Sequence, residues 1–354
     1  MTAPEPVPAA DLDDLRRRLR DTRRVRLPAV GAWERGTDAD YLTDLLAYWA
    51  DGYDWRTHEQ RIVDLPWRRV AAGPAIHQRA GGDAPAVLLL HGWPDSVLRF
   101  EKVLPLLTDV DVVVPPLPGY PFADPARQPG LSATHMSDRM AALMAELGYD
   151  RYTVSGGDIG SFVAEQLAAR HAGHVASLHL TDLTYDRIND IEPGERTDDE
   201  RAFATRLRDW RSAEGGYAHE HSTKPHTLAV GLGDSPAGLA AWIVEKLRAW
   251  TDCDGDVESV FTRDELLTWV SAYWFTNTIG TSFGPYYERP ERAGRIEVPT
   301  YVSQFPHDIA SAPRSFAERF YDIRGWHDEQ DGGHFAAWER PDVFVERLRE
   351  AVNR

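Results

Sequence analysis

Apolar positions change their period along the chain, and each change marks a different kind of structure. Leu12, Leu15 and Leu19 recur at helical spacing and predict a helix over 11–24, and a second helix is expected near Tyr41 to Gly52. Between and beyond them the leader is irregular and rich in Pro, Gly and Trp. From Pro85 the pattern alternates. Val87 to Leu90 and Val110 to Val114 are continuous apolar runs of the kind found in strands buried on both faces. A helix is predicted from Ser132 to Leu147, with Met136, Met140, Leu143, Met144 and Leu147 on one stripe and Gly148 as its stop. Tyr152 to Val154 and Val175 to Leu180 are the next strands, with a helix-like run through Phe162, Val163 and Leu167 between them. Such alternation predicts a mostly parallel sheet with helices on both faces.

The alternation stops near Asp186. Residues 186–201, DRINDIEPGERTDDER, read as an exposed linker, and the chain then turns helical. One helix is expected over 198–211, and another starts at Ser235-Pro236 and carries Leu239, Ile243 and Leu247. Thr262 and Glu265 form a capping box for a helix reaching about Asn277. Strand signals return at Ile296 to Gln304 and Tyr321 to Trp326, with helices near Pro313 to Phe320 and from Pro341. The expected organisation is an N-terminal extension, 1–84, wrapping a core of 85–185 and 295–354, with a helical lid, 186–294, inserted between the core halves.

Composition narrows the partners. A formal charge of −17 argues against nucleic acid or an anionic membrane surface and fits an uncharged small ligand. The basic cluster from Arg16 to Arg26 reads as the solvated face of the first helix. Cys253 is the only cysteine, so no intrachain disulfide or CxxC redox motif exists. No signal-like segment and no run of 18 apolar residues occurs, and a cytoplasmic protein without membrane attachment is expected. Only three of the 39 basic residues are lysines, which points to a GC-rich coding sequence, a bacterial source, and a role in detoxification or secondary metabolism.

The chemistry centres on Gly156-Gly157-Asp158-Ile159-Gly160, which follows a strand and opens a helix. Small residues around a central side chain describe a nucleophile elbow, here with aspartate where serine is usual. The bland alternative is a Gly-rich turn with Asp158 as a helix N-cap. A carboxylate that attacks an sp³ carbon yields an ester that activated water can hydrolyse, whereas a serine would yield a stable ether. A histidine in Gly332-Gly333-His334-Phe335 and an acid at Asp308 complete the chain order of an α/β-hydrolase triad. Asp182 competes with Asp308 as the acid, and Asp328, Glu329 and Asp331 crowd the histidine loop. The backbone N–H groups of Trp93, in His91-Gly92-Trp93-Pro94, and of Ile159 are the expected oxyanion hole. His91 and Pro94 of the same turn are assigned to substrate contact.

With these motifs in place, the sequence resembles the epoxide hydrolase family of microsomal type, with its N-terminal extension. The resemblance is carried by LDDLRRRLRDTR and YWADGYDWR in the leader, then LLLHGWPDSVLRFEKVLPLL, PPLPGYPF and SGGDIGS, then TKPHTLAVGLGDSPAGLAAWIVEKLRAW, LLTWVSAYWFTNTIGTSFGPYYE and VPTYVSQFPHDIASAPRSFAERFYDI, and finally GGHFAAWERP. It implies Asp158 as nucleophile, His334 as base, and Asp308 as the acid partner of His334. It also implies two lid tyrosines that donate to the epoxide oxygen, Tyr217 and Tyr286, with Tyr287 as the alternative to Tyr286. The implied reaction turns an epoxide and water into a vicinal diol, with no cofactor and no metal. The pattern departs from the family at TRRVRLP, where a Trp-Pro pair is usual, and at Asp95, where Gly is common; neither departure is expected to touch the chemistry.

Two rival functions share parts of this pattern. A haloalkane dehalogenase also uses an Asp nucleophile but usually places Trp directly after it, where this chain has Ile159. A non-catalytic binding protein on the same fold would be expected to lack one or more of the site residues, all of which are present. A serine esterase would need GxSxG at the elbow. Oligomeric state stays open, with a homodimer as one expectation.

Overall fold

The apolar runs pair into one sheet. In a computed structural model, which describes residues 3–26, 28 and 30–353, the strands are β1 (Trp67–Val70), β2 (Gly73–Gln78), β3 (Ala86–Leu90), β4 (Asp111–Val114), β5 (Tyr152–Gly156), β6 (Val175–Leu180), β7 (Ile296–Gln304) and β8 (Tyr321–Asp328). Their order is β1-β2-β4-β3-β5-β6-β7-β8. Pairs from β4 to β8 are parallel, and β2 joins β4 antiparallel with β1 outside it. Every residue of β3 and β5 is buried, because α5 (Ile159–Arg170) and the C-terminal α14 (Pro341–Val352) cover the central strands, with α4 (Ala133–Glu146) packed against α5.

The hairpin β1–β2 lies within the stretch expected to be a wrapping extension, so the sheet takes in part of the leader. Its strand character is weak in sequence, with Arg68 and Arg69 exposed and Pro74 in β2, and edge pairing to Val112–Val114 supplies it. Ahead of it stand α1 (Ala9–Arg20), α2 (Ala39–Asp51) and α3 (Trp55–Val63). The first ends four residues short of the expected 24, because beyond Leu19 no apolar side chain continues its buried stripe; Val25 is 76% exposed. Leu27, in the TRRVRLP departure, lies outside the described residues. The third helix carries no clear sequence period and is held by Asp54, whose side chain accepts the Arg56 N–H, and by buried Trp55 and Ile62.

Between β6 and β7 lie α6 (Asp198–Glu214), α7 (Gly216–Thr223), α8 (Pro225–Asp234), α9 (Pro236–Trp250), α10 (Arg263–Thr276) and α11 (Gly284–Tyr287); α12 (Arg314–Phe320) and α13 (Ala336–Glu339) come later. Both predicted caps form: Ser235 accepts from the Gly238 N–H, and Thr262 and Glu265 bond reciprocally. The charged stretch 186–201 is no open linker. It folds into helical turns at Tyr185–Asp190 and Pro193–Glu195, and Arg187 is buried against Glu165 at 3.1 Å.

The leader helices brace the helices of this inserted region. Tyr48 Oη donates to Asp264 at 2.7 Å, Trp49 Nε1 to Ser271 at 3.1 Å, and the Tyr53 and Thr268 hydroxyls meet at 3.0 Å. Those contacts fix α10, so the leader contributes to the roof over the sheet and not only to its edge.

Candidate active site

The strand ends β3, β5, β6, β7 and β8 converge at the C-terminal edge of the sheet, the usual ligand side of an open parallel sheet. Asp158 stands between β5 and α5 with φ +52° and ψ −130°, a conformation that L-residues rarely adopt and that costs on the order of 1–3 kcal/mol. Neighbouring glycines make it possible. A side chain at Gly160 would collide with the Leu90 carbonyl, and one at Gly92 with the Asp158 carboxylate. The elbow is thus wedged against the turn after β3. Asp158 serves as no cap, since its side chain accepts no N–H from α5.

Two hydrogen bonds orient Asp158. The Trp93 N–H donates to Asp158 Oδ1 at 2.8 Å, and the Asp158 N–H donates to Asp182 Oδ2 at 3.0 Å. Ile159 is the first residue of α5, so its N–H has no intrahelical acceptor. One oxygen of Asp158 is therefore held by an amide, and Oδ2 is the oxygen turned toward His334.

His334 lies across from it, with Nε2 at 3.5 Å from Asp158 Oδ2. Its loop is anchored amide by amide: Gly332 donates to Asp252, Gly333 and Phe335 to Glu339, and His334 to the Trp250 carbonyl at 2.8 Å. Nδ1 is 2.7 Å from Asp308 Oδ1 and 3.5 Å from Asp182 Oδ2. Asp308 is thus the hydrogen-bonded acid, and Asp182 takes the second place, bound to the Asp158 amide. With Nδ1–H donated to Asp308, Nε2 is the nitrogen that faces Asp158, and it carries a lone pair once the ring is neutral. Burial opposes a charged imidazole, but the nearby charges of Asp308, Asp158 and Asp182 outweigh it and push His334 well above its ordinary pKa. Burial, with repulsion from Asp308, pushes Asp182 up to about 7. Asp182, Asp308 and His334 bring donor atoms within 4.8 Å of one another, but an Nδ1 that donates to a carboxylate at 2.7 Å has no lone pair for a cation.

Tyr217 on α7 and Tyr286 on α11 face this centre from above. Tyr217 stacks on Trp93 with centroids 5.2 Å apart, and Tyr286 meets Tyr217 edge-on at 6.0 Å. The Tyr286 hydroxyl is buried with no partner among the described residues, whereas Tyr287 is 60% exposed; of the two neighbours, Tyr286 is the one at the site. Burial and the Asp158 charge push both site tyrosines well above 10, so each keeps its proton as a donor. A cavity of about 950 Å³ opens from Asp158, with Ile159, Phe162, Tyr185 and Trp210 among its walls.

Three expectations need correction. His91 is no substrate contact: it is fully buried, its Nε2 accepts the Leu117 N–H at 3.0 Å, and its Nδ1 lies 3.1 Å from the Gly92 carbonyl. Pro94 is buried and stands outside the cavity lining among the described residues. Asp95 does touch the site, accepting the Gly92 N–H at 2.7 Å and pairing with buried Arg99 at 2.6 Å. An Asp and an Arg four apart in the apolar run DSVLRF were the sequence signal for that pair.

An elbow acid, a second acid and a histidine beyond the ends of β5, β7 and β8 of such a sheet define an α/β-hydrolase. Comparison with known proteins agrees: residues 85–212 match the alpha/beta hydrolase fold family, and residues 4–100 match the family described as epoxide hydrolase N terminus. Epoxide hydrolase 1 of Sus scrofa is 30% identical, over 96% of this chain and 86% of that protein. The crystal structure of juvenile hormone epoxide hydrolase from Bombyx mori superposes with a TM-score of 0.85 at 28% identity, over 99% of this chain and 93% of the other. That of Aspergillus niger epoxide hydrolase does so with a TM-score of 0.85 at 27% identity, over 99% and 94%. The chain belongs to the epoxide hydrolase family, hydrolases acting on ether bonds.

Proposed function

We propose that the protein converts an epoxide to a vicinal diol in two steps through an ester on Asp158. Oδ2 attacks one ring carbon while the C–O bond of that same carbon, anti to the attack, breaks, and Tyr217 and Tyr286 donate to the developing alkoxide, one of them transferring its proton. His334 Nε2 then takes a proton from water, which adds to Cγ of the ester. The resulting oxyanion is Oδ1, already bonded to the Trp93 N–H, and the Ile159 N–H is the second donor. Collapse breaks the Cγ–Oδ2 bond, the diol oxygen takes the proton from the imidazolium, the proton left on the Asp158 carboxyl returns to the tyrosinate, and Asp308 stabilises the imidazolium in the interim.

The observation that carries this reading is the placement of the two Asp158 oxygens, one in an amide hydrogen bond and one facing His334 at 3.5 Å. Direct attack of water on the epoxide would leave the Trp93 N–H without an oxyanion to stabilise. The cavity's volume fits a small-molecule epoxide, with Phe162, Tyr185 and Trp210 but also Glu165, Arg187 and Arg211 among its walls. Single turnover in ¹⁸O-labelled water, with enzyme in excess, tests it. The diol formed should carry unlabelled oxygen from Asp158, and the Asp158 peptide should gain one ¹⁸O; a labelled diol in that first turnover refutes the ester.

A further inference from the structure

We propose that Arg99, paired with Asp95, is a positioning residue for ester hydrolysis: a buried cation that fixes the oxyanion turn, the elbow and the histidine loop in one register and offsets the carboxylates around His334. This role rests on the two-step reading of the reaction. Arg99 lies in the helical turn Val97–Phe100 that follows β3 and is 1% exposed. One nitrogen donates to Asp95 at 2.6 Å, the other to the His334 carbonyl at 2.5 Å. The same guanidinium lies against Gly157, where a side chain would come within 3.0 Å of it, and over the Phe335 ring at 5.6 Å. Asp95 in turn accepts the Gly92 N–H, and its own carbonyl accepts the Tyr273 hydroxyl of α10 at 2.8 Å. One ion pair therefore touches the residue before the oxyanion donor, the residue before the nucleophile, the base's own backbone and the roof helix.

Stability gives little reason for charge at this place. Removing a guanidinium and a carboxylate from water costs several kcal/mol each, and an apolar pair of similar volume often serves a core as well. The bonds are what an apolar pair could not supply. Electrostatics gives a second role. Asp158, Asp182 and Asp308 face His334 directly, Asp252 and Glu339 hold the amides of its loop, and His307 lies beyond at 3.3 Å from Asp252. Lys246 is screened from the imidazole by Trp250, over whose ring it sits at 5.8 Å. Arg99 is the cation hydrogen-bonded to His334 itself, whereas Arg340, the other permanent cation on the histidine loop, is paired with Asp331. Without it the surrounding carboxylates hold the imidazolium more firmly, and the base is lost at higher pH.

Arg99→Met, Arg99→Lys and Asp95→Asn test this, each read by thermal unfolding and by single-turnover ester hydrolysis across pH. Arg99→Met should slow hydrolysis about tenfold or more and move the midpoint of its acidic limb upward by on the order of one pH unit. Asp95→Asn should move the midpoint downward, because it removes a negative charge and leaves Arg99. Arg99→Lys should restore the midpoint but only part of the rate, since an ammonium lacks the planar fork that reaches both acceptors. A lowered unfolding temperature with an unmoved midpoint in these variants reduces the pair to a structural role and overturns the proposal, as do midpoints that move in the same direction. Should Arg99→Met fail to fold, the Lys and Asn variants decide. Absence of any ester in the wild type defeats the two-step reading itself, whereas an ester whose hydrolysis ignores these substitutions defeats this proposal alone.

Discussion

Replacing His334 with Gln separates the two chemical steps. Asp158 is oriented by Trp93 and by Asp182 and needs no base to attack, so the variant should still open the epoxide. Water does need a base. His334 Nε2 is the ring nitrogen facing Asp158 Oδ2, and Asp308 and Asp182 stand on the far, Nδ1 side of the ring. General-base loss costs roughly 10² to 10⁴ in rate. For a wild-type turnover of about 10 per second, the ester lifetime lengthens to roughly 10 to 1,000 seconds, long enough to trap by acid quench. Intact-protein mass spectrometry should then show an added mass equal to the whole epoxide, since ring opening expels no leaving group, and peptide mapping should place it on Asp158. A dehalogenase given its own substrate would add the alkyl group without the halide. Absence of an adduct with an epoxide that the wild type converts, or turnover at the wild-type rate, refutes this division of labour and favours direct attack of water.

Tyr217→Phe and Tyr286→Phe should each slow ester formation by roughly tenfold to a thousandfold, the loss of one preorganised donor, while Tyr287→Phe should leave burst kinetics unchanged. Asp308→Asn should slow hydrolysis less than loss of an acid usually does, because Asp182 lies 3.5 Å from Nδ1; the Asp182→Asn, Asp308→Asn double variant should lose more in stopped-flow hydrolysis than the two single effects combined. Acid stability should report Asp95. Burial would raise its carboxyl, but the Arg99 charge and the His91 contact outweigh that and hold it at about 2, below its ordinary 3.8. A depressed folded pKa contributes stability above the unfolded value, so about 2 kcal/mol should vanish as pH falls from about 4 to 2. Chemical denaturation across that window should be flatter for Asp95→Asn, and an equal slope would refute the assignment.

Much of the site was legible because its requirements are local. The elbow's positive φ and close contacts need glycines within two residues of Asp158, and the histidine turn needs them beside His334, so both appear as short patterns in the chain. Capping boxes at Thr197 and Thr262 and the apolar runs of β3 and β6 are likewise encoded by neighbours, and they fix where elements begin. What the tertiary structure decided concerns atoms far apart in sequence. Asp308 and Asp182 are equally placed after strands, and only a difference of 0.8 Å at Nδ1 separates their roles. Tyr286 and Tyr287 are adjacent in the chain, yet α11 turns one inward and the other to solvent. His91, which motif position assigned to substrate, is spent on the Leu117 amide 26 residues away. The weak strands of β1–β2 become strands through the edge offered by β4, and Asp95 becomes tolerable in the core through Arg99, which reaches on to the His334 carbonyl 235 residues further along the chain. Local sequence sets backbone conformation, because glycine, proline and caps act within a turn; which polar atoms meet is set by packing, because a buried charge or amide takes whatever partner the fold brings within hydrogen-bond reach.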